Sequence, residues 1–342
     1  MLNGSDFIMD SLFSQRKMEI CSRYFGLLHN KYILVFELVI DILTTIYKAI
    51  DSFTHKKYVV KVFDKYDTSM EEEIKINKII SEYNSPFFIK YIDSSSGYLV
   101  IDDIEEYKYY IVFENASKGD LLKYINNKNG FPEKVCKFIF YKILKAIQFL
   151  HKLGISHRNI KIDNIFLDGN NYDIKIGDFS LATLFNNEKG EKILLKKVIK
   201  TSNYTAPEII MEHPYDGEKV DIFSLGVLLF HLRTGSYGFK DANINCKSLN
   251  INEKLYRLIK NKKFDTYWKF MEKILEIKEL SQEFKKLYFK LVSFNPKERP
   301  TIEEIFNSCW LKEINDLSEE ELKIYEKELI DELKKREEIL NM

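Results

Sequence analysis

Four short motifs carry the polar side chains that could do chemistry, and they follow one another along the chain. Residues 58–61 (YVVK) place a lysine on an apolar strand, and residues 157–164 (HRNIKIDN) follow a predicted helix that ends at a glycine. Residues 178–180 (DFS) begin 14 residues after Asn164, and residues 206–208 (APE) come later. Ammonium, amide and carboxylate groups of this kind can hold and neutralise a charged ligand. The scattered cysteines and histidines argue against a zinc site.

In this order and at this spacing, the motifs resemble the signatures of the eukaryotic protein kinases: a strand lysine, HRDxKxxN, DFG and APE. The resemblance covers residues 31–312. It implies an α+β, bilobal protein kinase fold, with a small β-rich N-lobe (residues 31–114) and a larger α-helical C-lobe (residues 120–312). It also implies ATP and Mg²⁺ as cofactors and a protein hydroxyl as the phosphate acceptor. Lys161, two residues after Asn159, is typical of the serine/threonine type.

The resemblance also implies roles for individual residues. Lys61 matches the lysine that holds the α- and β-phosphates, and its partner glutamate is assigned to Glu73, with Glu72 as the alternative. Asn164 and Asp178 match the two Mg²⁺ ligands, whose oxygen atoms suit that cation. The full set of residues that the resemblance implies for the nucleotide site, besides the metal ligands, is Lys61, Glu73, Val39, Ile46, Val59, Phe113, Glu114, Ala116, Asp120 and Phe166.

Within that set, the segment after the last N-lobe strand resembles the connector that receives adenine. Phe113 looks like the gatekeeper residue, while the carbonyl of Glu114 and the N–H of Ala116 look like the adenine-facing backbone groups. Asp120 matches the acid that contacts ribose in many relatives. Thr201 matches the threonine that serine/threonine kinases place beside the catalytic loop. Thr201 therefore joins Asn159 and Lys161 as a candidate catalytic residue.

The first departure from the family pattern is Asn159, which stands at the position of the catalytic aspartate. A carboxylate can accept the proton of the substrate hydroxyl, whereas an amide can only orient that hydroxyl by hydrogen bonding. Loss of a general base typically costs about 10²–10⁴ in rate. The sequence therefore predicts impaired phosphoryl transfer.

The second departure is the loop at residues 39–46, which matches the glycine-rich loop of the family. No glycine lies between residues 26 and 97, and Val39, Asp41 and Thr44 take the places of the loop glycines. Glycines at these places let backbone N–H groups approach the phosphates closely. We therefore expect this loop to hold phosphate poorly.

The third departure lies after the DFG-like motif, where Ser180 replaces a glycine. Residues 184–200 contain no serine, threonine or tyrosine, so they offer no acceptor for an activating phosphate. Arg158, which family members use to hold such a phosphate, has no evident anion there. Order in this segment is expected from unmodified contacts, such as Glu188 or Glu191 with Arg158.

Three charged residues outside the catalytic motif resemble structural residues of the family. Asp221 lies in residues 220–232, which are apolar nearly all round and therefore predict a helix buried in a core. Arg299 is expected to pair with Glu208. We assign these three residues to the fold and not to the chemistry.

Apolar periodicity indicates the elements that must position these residues. Residues 32–50 are nearly long enough to span a bilayer, but they contain Glu37 and Asp41, and each acid at mid-membrane costs about 2.5–3.5 kcal/mol. Their β-branched and aromatic residues predict two strands instead. Pro132 opens a predicted helix that Gly154 ends. Its apolar residues at helical spacing are Val135, Phe138, Ile139, Ile143, Ile147 and Leu150.

Two further helices are predicted from capping boxes, one formed by Ser69 with Glu72 and one by Ser318 with Glu321. The second opens a helical tail (residues 313–342), which we interpret as docked on the large lobe, because a coiled coil needs more sustained heptads. The stripe expected to be buried in the first helix is Ile76, Ile79, Ile80 and Tyr83. The apolar face expected in the tail is Leu322, Tyr325, Leu329 and Leu333.

Composition narrows the class of protein. The chain has 52 basic residues (lysine plus arginine) and 52 acidic residues (aspartate plus glutamate), so its formal net charge is zero. It therefore lacks the excess of basic residues that is typical of proteins that bind nucleic acids or anionic membranes. The four cysteines form no CxxC pair, which suits reduced thiols. We expect a cytoplasmic protein, with a nuclear location as the alternative. Residues 1–30 lack a signal-peptide pattern and are interpreted as an N-terminal extension.

These observations predict a protein kinase-like domain of serine/threonine type with degenerate motifs. The favoured function is a catalytically impaired pseudokinase, which binds Mg-ATP weakly and acts on protein partners as a signalling scaffold or regulator. The alternative is an active serine/threonine kinase that transfers the γ-phosphate of ATP to protein hydroxyls. Asn159 and the loop at residues 39–46 favour the first.

Overall fold

The computed structural model of this 342-residue chain divides into two compact units. The first comprises the chain up to residue 67 together with residues 90–115, and the second comprises residues 68–89 and 116–342. The residues that the structure describes are 25–40, 44–125, 130–199, 203–240, 242, 251–276 and 280–341. In these ranges, no helix combines the length and apolar character needed to cross a bilayer.

The first unit is an antiparallel sheet. Its strands follow the order β1-β2-β3-β4-β6-β5, and β1 also pairs with β5, so the sheet closes on itself. One face is apolar and forms the core of the unit, with Leu34, Val60, Tyr110 and Val112 among its buried side chains. The strands are β1 (Gly26–Leu28), β2 (Tyr32–Ile40), β3 (Thr44–Asp51), β4 (Lys57–Phe63), β5 (Tyr91–Ile101) and β6 (Ile104–Glu114).

The prediction of two strands in residues 32–50 is confirmed, because β2 and β3 occupy this stretch and pair in antiparallel fashion. The preceding strand β1 lies inside residues 1–30, which the sequence suggested to be an extension. It pairs with β2 from Gly26↔Leu34 to Leu28↔Tyr32. The sheet therefore begins before residue 31.

The second unit is mainly helical, with short strands. The strands are β7 (Gly119–Asp120), β8 (Ile155–Ser156), β9 (Ile165–Asp168), β10 (Asp173–Ile176) and β11 (Thr183–Leu184). The helices are α1 (Thr68–Ser81), α2 (Glu133–Lys152), α3 (Pro207–Ile210), α4 (Gly217–Thr234), α5 (Ile251–Lys260), α6 (Phe264–Leu275), α7 (Gln282–Leu291), α8 (Ile302–Phe306), α9 (Lys312–Asn315) and α10 (Glu319–Leu340).

Helices α2 and α4 form the centre of this unit, as their apolar patterns predict. Pro132 precedes α2, and the chain leaves the helix through Gly154, whose φ of 73° is in the left-handed region that glycine adopts without strain. Asp216 caps α4 by accepting from the N–H groups of Glu218 and Lys219. The six apolar residues predicted for α2 are all buried: Val135, Phe138, Ile139, Ile143, Ile147 and Leu150.

Helix α1 differs in detail from the prediction. It begins at Thr68, so Ser69 lies inside the first turn and is not the residue that precedes the helix, as the predicted capping box requires. Ile76 and Ile80 are buried in the core of the second unit, but Tyr83 is 54% exposed. Tyr83 was wrongly placed in the buried stripe because the helix ends at Ser81 and the periodicity does not continue beyond it.

The tail helix α10 docks on the second unit, as predicted. The capping box of Ser318 and Glu321 is present, and Leu329 and Leu333 are buried where α10 packs against α2. The rings of Tyr325 and Phe138 lie 6.2 Å apart at this contact. The tail is therefore part of the folded unit.

A buried arginine fixes the end of the tail helix. Arg336 donates hydrogen bonds to the carbonyls of Tyr124 and Gly130, both at 2.8 Å, and to the carboxylate of Glu332 at 2.6 Å. Its guanidinium also lies over the ring of Phe131, 4.3 Å from the centroid. These contacts join α10 to the segment that precedes α2.

Replacing Arg336 with alanine is expected to lower the free energy of unfolding by about 2 kcal/mol or more, because the buried carbonyl of Tyr124 and the half-buried carbonyl of Gly130 lose a charged donor. Urea denaturation followed by circular dichroism measures this change. The neighbouring Lys335 is exposed, so Lys335→Ala is the matched control and is expected to change little. Equal midpoints for the two variants would show that α10 is held by its apolar face alone.

Candidate active site

In the first unit, the sheet register aligns several residues of the predicted nucleotide site. Val39 pairs with Ile46, Ile46 with Lys61, and Val59 on the same strand as Lys61 pairs with Phe113. Directly paired residues, and residues two apart on one strand, share a face of a sheet. All five predicted residues therefore lie on one face, opposite the apolar core.

Lys61 is buried on this face, with 8% of its surface exposed. Its ammonium lies 5.3 Å from the centre of the Phe63 ring. Burial of an ammonium group is costly and is not expected of an ordinary solvated charge at a strand end. The burial thus agrees with a binding role for Lys61.

The loop that matches the glycine-rich loop is partly described. Val39 is 52% exposed and Ile40 pairs with Thr45, while residues 41–43, which include Asp41, lie outside the described residues. At each position where the family has a loop glycine, this chain has a residue with a Cβ. The expectation of poor phosphate contact stays a prediction.

In the same unit, Glu114 closes the last strand of the sheet. Its N–H donates to the Lys90 carbonyl at 2.9 Å, and its side chain accepts from the Lys90 N–H at 2.8 Å. These contacts fix the backbone at the residue whose carbonyl is predicted to face adenine.

In the second unit, the connector after Ala116 is held by β9. Strand β7 pairs with β9 so that Asp120 faces Phe166, which brings two predicted nucleotide residues side by side. Ser117 donates from both its N–H and its hydroxyl to Asp168. Burial alone would raise the pKa of Asp168, but hydrogen bonds from Ser117 and Lys175 lower it to about 2. Asp168 therefore stays ionised and anchors the connector.

The turn that carries the catalytic motif is held by Asp221, as its structural assignment predicts. Its carboxylate accepts from the backbone N–H groups of His157 and Arg158 at 2.9 and 2.8 Å, and His151 lies 2.9 Å away. Burial acts to raise the pKa of Asp221, but the hydrogen bonds that it accepts, from His151 first and from the backbone N–H of Arg158, outweigh this effect, so the pKa is lowered. Arg158 has a φ of 58°, and these bonds hold that left-handed backbone.

Beyond this turn, the residues of the predicted metal site converge on Asp178. Asn159 donates from its amide nitrogen to Asp178 Oδ2 at 2.7 Å, and Asn164 donates to the same oxygen at 3.3 Å. Asn164 also donates to the Asn159 carbonyl at 2.8 Å. The hydroxyl of Ser180 donates to Asp178 Oδ1 at 2.6 Å. The structure thus brings together Asn159, Asn164 and Asp178 from the predicted set.

The side chains at this point suit a divalent cation in chemistry. Asn164 carries an amide oxygen and Asp178 a carboxylate, which are ligand types that Mg²⁺ prefers, and the amide nitrogen of Asn164 lies 3.3 Å from Asp178 Oδ2. The part of the chain that the structure describes contains no group of three or more histidine, cysteine, aspartate or glutamate residues able to hold a metal. Of the two predicted ligands, Asn164 and Asp178, only Asp178 is a carboxylate.

The aromatic residue of the DFS motif is locked in the core. Phe179 is buried, and its ring centroid lies 5.0 Å from that of His157 and 5.8 Å from that of Phe88. Burial lowers the pKa of His157, which keeps this ring neutral. The packing fixes the chain next to Asp178, whose φ of 63° is left-handed.

The remaining candidate residues differ in their surroundings. Glu73 is 2% exposed, whereas Glu72 is exposed and lies 3.8 Å from Lys197, so burial favours Glu73 as the functional glutamate. Lys161 is half-buried. Thr201 lies outside the described residues, and its role stays a prediction.

Arg158 has neutral partners. Its Nε donates to the Leu181 carbonyl at 2.7 Å, and its guanidinium donates to the Tyr215 hydroxyl at 3.0 Å, which in turn donates to the Lys197 carbonyl at 2.8 Å. In the described ranges, these partners replace the predicted Glu188 or Glu191; Glu191 accepts instead from the Asn187 amide. Residues 184–199 are thus held by contacts of unmodified residues, as predicted, but Arg158 reaches this segment through the hydroxyl of Tyr215 and not through a glutamate.

We therefore predict that phosphorylation within residues 184–200 does not regulate this protein. Phosphatase treatment should leave its melting temperature and nucleotide affinity unchanged, because Arg158 is already bonded without a phosphate. Mass spectrometry of treated and untreated protein provides the check. The contrary result is a stoichiometric phosphate whose removal changes activity, on one of the nearby hydroxyls of Thr201, Ser202, Tyr204 or Thr205.

Sequence reasoning overlooked some of these contacts. Ser180 was recognised as a departure, but its hydroxyl was not predicted to bond Asp178; its position two residues after an aspartate was the available signal. No local signal linked Lys118 of the connector to Glu337 of α10, which lie 2.9 Å apart. These residues are distant in sequence, so only the fold brings them together.

The predicted pair of Glu208 and Arg299 is confirmed. Arg299 donates to both carboxylate oxygens of Glu208, at 2.6 and 2.8 Å, and both residues are buried. Glu208 belongs to the APE motif, so this ion pair fixes the motif within the helical unit.

Comparison with known proteins identifies the class. The sequence matches the protein kinase domain family over residues 43–311, and relatives named as serine/threonine kinases match most of the chain, so it belongs to the eukaryotic serine/threonine protein kinase family. CBL-interacting protein kinase 30 of Oryza sativa subsp. japonica is 30% identical over 270 residues, which cover 78% of this chain and 51% of that protein. The probable serine/threonine-protein kinase HSL1 of Saccharomyces cerevisiae is 31% identical over 248 residues, which cover 72% of this chain and 14% of that protein.

A human relative gives a similar result. NUAK family SNF1-like kinase 1 of Homo sapiens is 30% identical over 271 residues, which cover 77% of this chain and 36% of that protein. The chain thus spans about half the length, or less, of these curated relatives.

Proposed function

We propose that this protein is a pseudokinase of serine/threonine type, which works through its conformation and its protein partners. One observation carries the proposal: the side chain at the position of the catalytic base is an amide, and its nitrogen donates to Asp178. An amide is not basic enough to take up the proton of a substrate hydroxyl, as a carboxylate can. Asn159 can at most orient that hydroxyl through its amide oxygen.

The proposal includes weak Mg-ATP binding within a bilobal protein kinase domain. Lys61 and Glu73 would serve the phosphates, and Asn164 and Asp178 would hold Mg²⁺, which neutralises phosphate charge when bound. The remaining proposed nucleotide contacts are Val39, Ile46, Val59, Phe113, Glu114, Ala116, Asp120 and Phe166. The glycine-free loop at residues 39–46 is the proposed cause of the weakness.

A second candidate function is an active serine/threonine kinase. Lys61, Lys161, Asn164 and Asp178 are retained, and the relatives named above are described as kinases. Loss of the base lowers the rate by about 10²–10⁴ and leaves positioning intact. The two functions therefore differ in turnover and share the nucleotide site.

Phosphotransfer separates the two. Purified protein with radiolabelled ATP, Mg²⁺ and a generic protein substrate should incorporate no more phosphate than Asp178→Ala. In parallel, millimolar Mg-ATP should raise the melting temperature slightly, and the rise should vanish in Lys61→Met; a ligand at about 100 times its Kd stabilises by about 2.7 kcal/mol. Transfer clearly above the Asp178→Ala control would favour the active kinase, and a large shift that survives in Lys61→Met would refute the assigned site.

The proposed partners are proteins, with no role in binding nucleic acid or membranes. The basis is the zero net charge with interspersed signs. A cytoplasmic location is proposed because the four cysteines form no CxxC pair, which suits reduced thiols, and a nuclear location is the alternative. Fluorescence imaging of a tagged chain distinguishes the two locations.

A further inference from the structure

Four tyrosines form a continuous row on the surface of the first unit. Tyr98 and Tyr107 pair directly across β5 and β6, and their ring centroids lie 5.2 Å apart. The ring of Tyr109 lies 5.8 Å from that of Tyr107 and 5.6 Å from that of Tyr66, which follows β4. Tyr98, Tyr107 and Tyr66 are 55%, 51% and 51% exposed. We call these four residues the tyrosine row.

The tyrosine row lies outside the predicted nucleotide residues. Along β6, Tyr107 and Tyr109 alternate with the core residue Tyr110, so they lie on the face opposite the apolar core. Phe113 shares this face, but the six-residue step from Tyr107 to Phe113 corresponds to about 20 Å of strand. Single exposed apolar residues are ordinary on a protein surface, whereas a contiguous exposed patch marks an interaction site.

The charge around the tyrosine row is negative. Residues 98–109 contain one lysine and four exposed acids, Asp102, Asp103, Glu105 and Glu106. The lysine, Lys108, is already paired with Asp64 at 2.7 Å and with Glu106 at 2.6 Å. Residues 64–67, around Tyr66, add two acids and one lysine. Because Glu105 precedes Tyr107 by two residues on the strand, its carboxylate lies on the same face as the rings.

Exposed tyrosine rings and negative charge together select one class of partner. The face of an aromatic ring is electronegative and attracts cations, and the planar guanidinium of arginine also stacks on it. The surrounding carboxylates attract the same cations. They repel the phosphates of nucleic acids, an acidic peptide and the same surface on a second copy of this chain.

We propose that the tyrosine row binds an arginine-rich segment of a partner protein, with guanidinium groups over the rings and paired with the surrounding carboxylates. Tyr98 and Tyr107 are the central contacts, because both are more than half exposed and their rings are adjacent. Glu105 is the nearest acid on the same strand face. The proposal goes beyond the proposed function, since this surface would serve a pseudokinase and an active kinase alike.

The experiment titrates the full chain into short fluorescein-labelled peptides and follows fluorescence anisotropy. Three probes alternate glycine with arginine, lysine or glutamate, and another is a proline-rich peptide without charge. The arginine probe should bind saturably and about threefold or more tightly than the lysine probe, because only arginine combines charge with stacking. The glutamate and proline-rich probes should not bind.

Variants separate the ring contacts from the effect of charge alone. Tyr107→Leu keeps an apolar side chain but removes the ring, and should weaken the arginine probe about threefold, whereas Tyr107→Phe keeps the ring and should bind normally. Adding Tyr98→Leu to Tyr107→Leu should weaken the probe about tenfold. Glu105→Gln should weaken it too. The matched controls, Tyr83→Leu and Glu82→Gln, change exposed residues of the second unit and should leave the affinity unchanged.

Three results would overturn the proposal. The first is no saturable binding of the arginine probe. The second is equal binding to the unmodified protein and the double leucine variant, which would mean that charge alone is responsible. The third is tighter binding of the glutamate or proline-rich probe, which would assign the surface to an acidic or a polyproline partner. The probe series needs only the unmodified protein, so it decides the matter even where a variant does not fold. Phosphotransfer is read in a separate assay, so failure of the pseudokinase function is distinguished from failure of this surface.

Discussion

Replacing Arg299 with alanine is expected to lower the free energy of unfolding by about 3–5 kcal/mol. The side chain is 2% exposed and donates to both carboxylate oxygens of Glu208. It also donates to the carbonyls of Ser293 and Lys219, both at 2.9 Å. The alanine variant would leave the Glu208 charge buried without its partner, and this uncompensated charge causes most of the expected loss.

Urea denaturation of the purified variant measures the loss, with Lys297→Ala as an exposed control two residues away. The double variant Glu208→Leu, Arg299→Met tests the cause. If the unpaired charge is responsible, removing both charges should restore part of the stability, because apolar replacement of a buried ion pair is often tolerated. A single variant within about 1 kcal/mol of the unmodified protein would contradict this account.

The sequence predicts the long helices well, because their apolar periods are sustained and their ends are marked. Pro132 and Gly154 bound α2, and Asp216 caps α4. The prediction fails where the signal is short or stops. Strand β1 has three residues, too few to show an alternation. Tyr83 continues the spacing of α1 in the sequence after the helix itself has ended.

The motifs predict which residues form the candidate site, but they do not predict how the side chains are used. Order and spacing identify Asn159 and Asp178. That an amide nitrogen of Asn159 points at Asp178, and that Ser180 bonds its other oxygen, depends on the left-handed backbone at Asp178 and on the packing of Phe179. The direction of these hydrogen bonds depends on the backbone conformation, and the local sequence of residue types does not reveal that conformation.

The same limit applies to contacts between distant segments. The expected partners of Arg158 were acids close to the segment that a phosphate would occupy. The structure instead uses the hydroxyl of Tyr215, 57 residues further along the chain. Pairing residues of opposite charge can suggest an acid as the partner of an arginine, but it cannot suggest a neutral hydroxyl. The bond between Arg158 and Tyr215 could therefore not be predicted from the sequence.

Asn159→Asp alone is expected not to restore ordinary kinase turnover. The carboxylate returns a proton acceptor, worth about 10²–10⁴ in rate, but only for ATP that is correctly held. The γ-phosphate must lie in line with the incoming hydroxyl, and small misplacements can cost about 10²-fold. The loop at residues 39–46 has no glycine that would let its backbone approach the phosphates.

We therefore expect at most slight activity from Asn159→Asp, and more when Val39→Gly, Asp41→Gly and Thr44→Gly are added. Phosphotransfer to a generic protein substrate by the single and quadruple variants measures both steps, and circular dichroism checks that each variant is folded. The triple glycine variant that retains Asn159 is the control, and it should stay inactive because it still lacks a base. A turnover of about 1 s⁻¹ for Asn159→Asp alone, at the lower end of typical kinases, would mean that the loop is competent. One substitution would then separate this protein from an active kinase, because Asn159 would be its only defect.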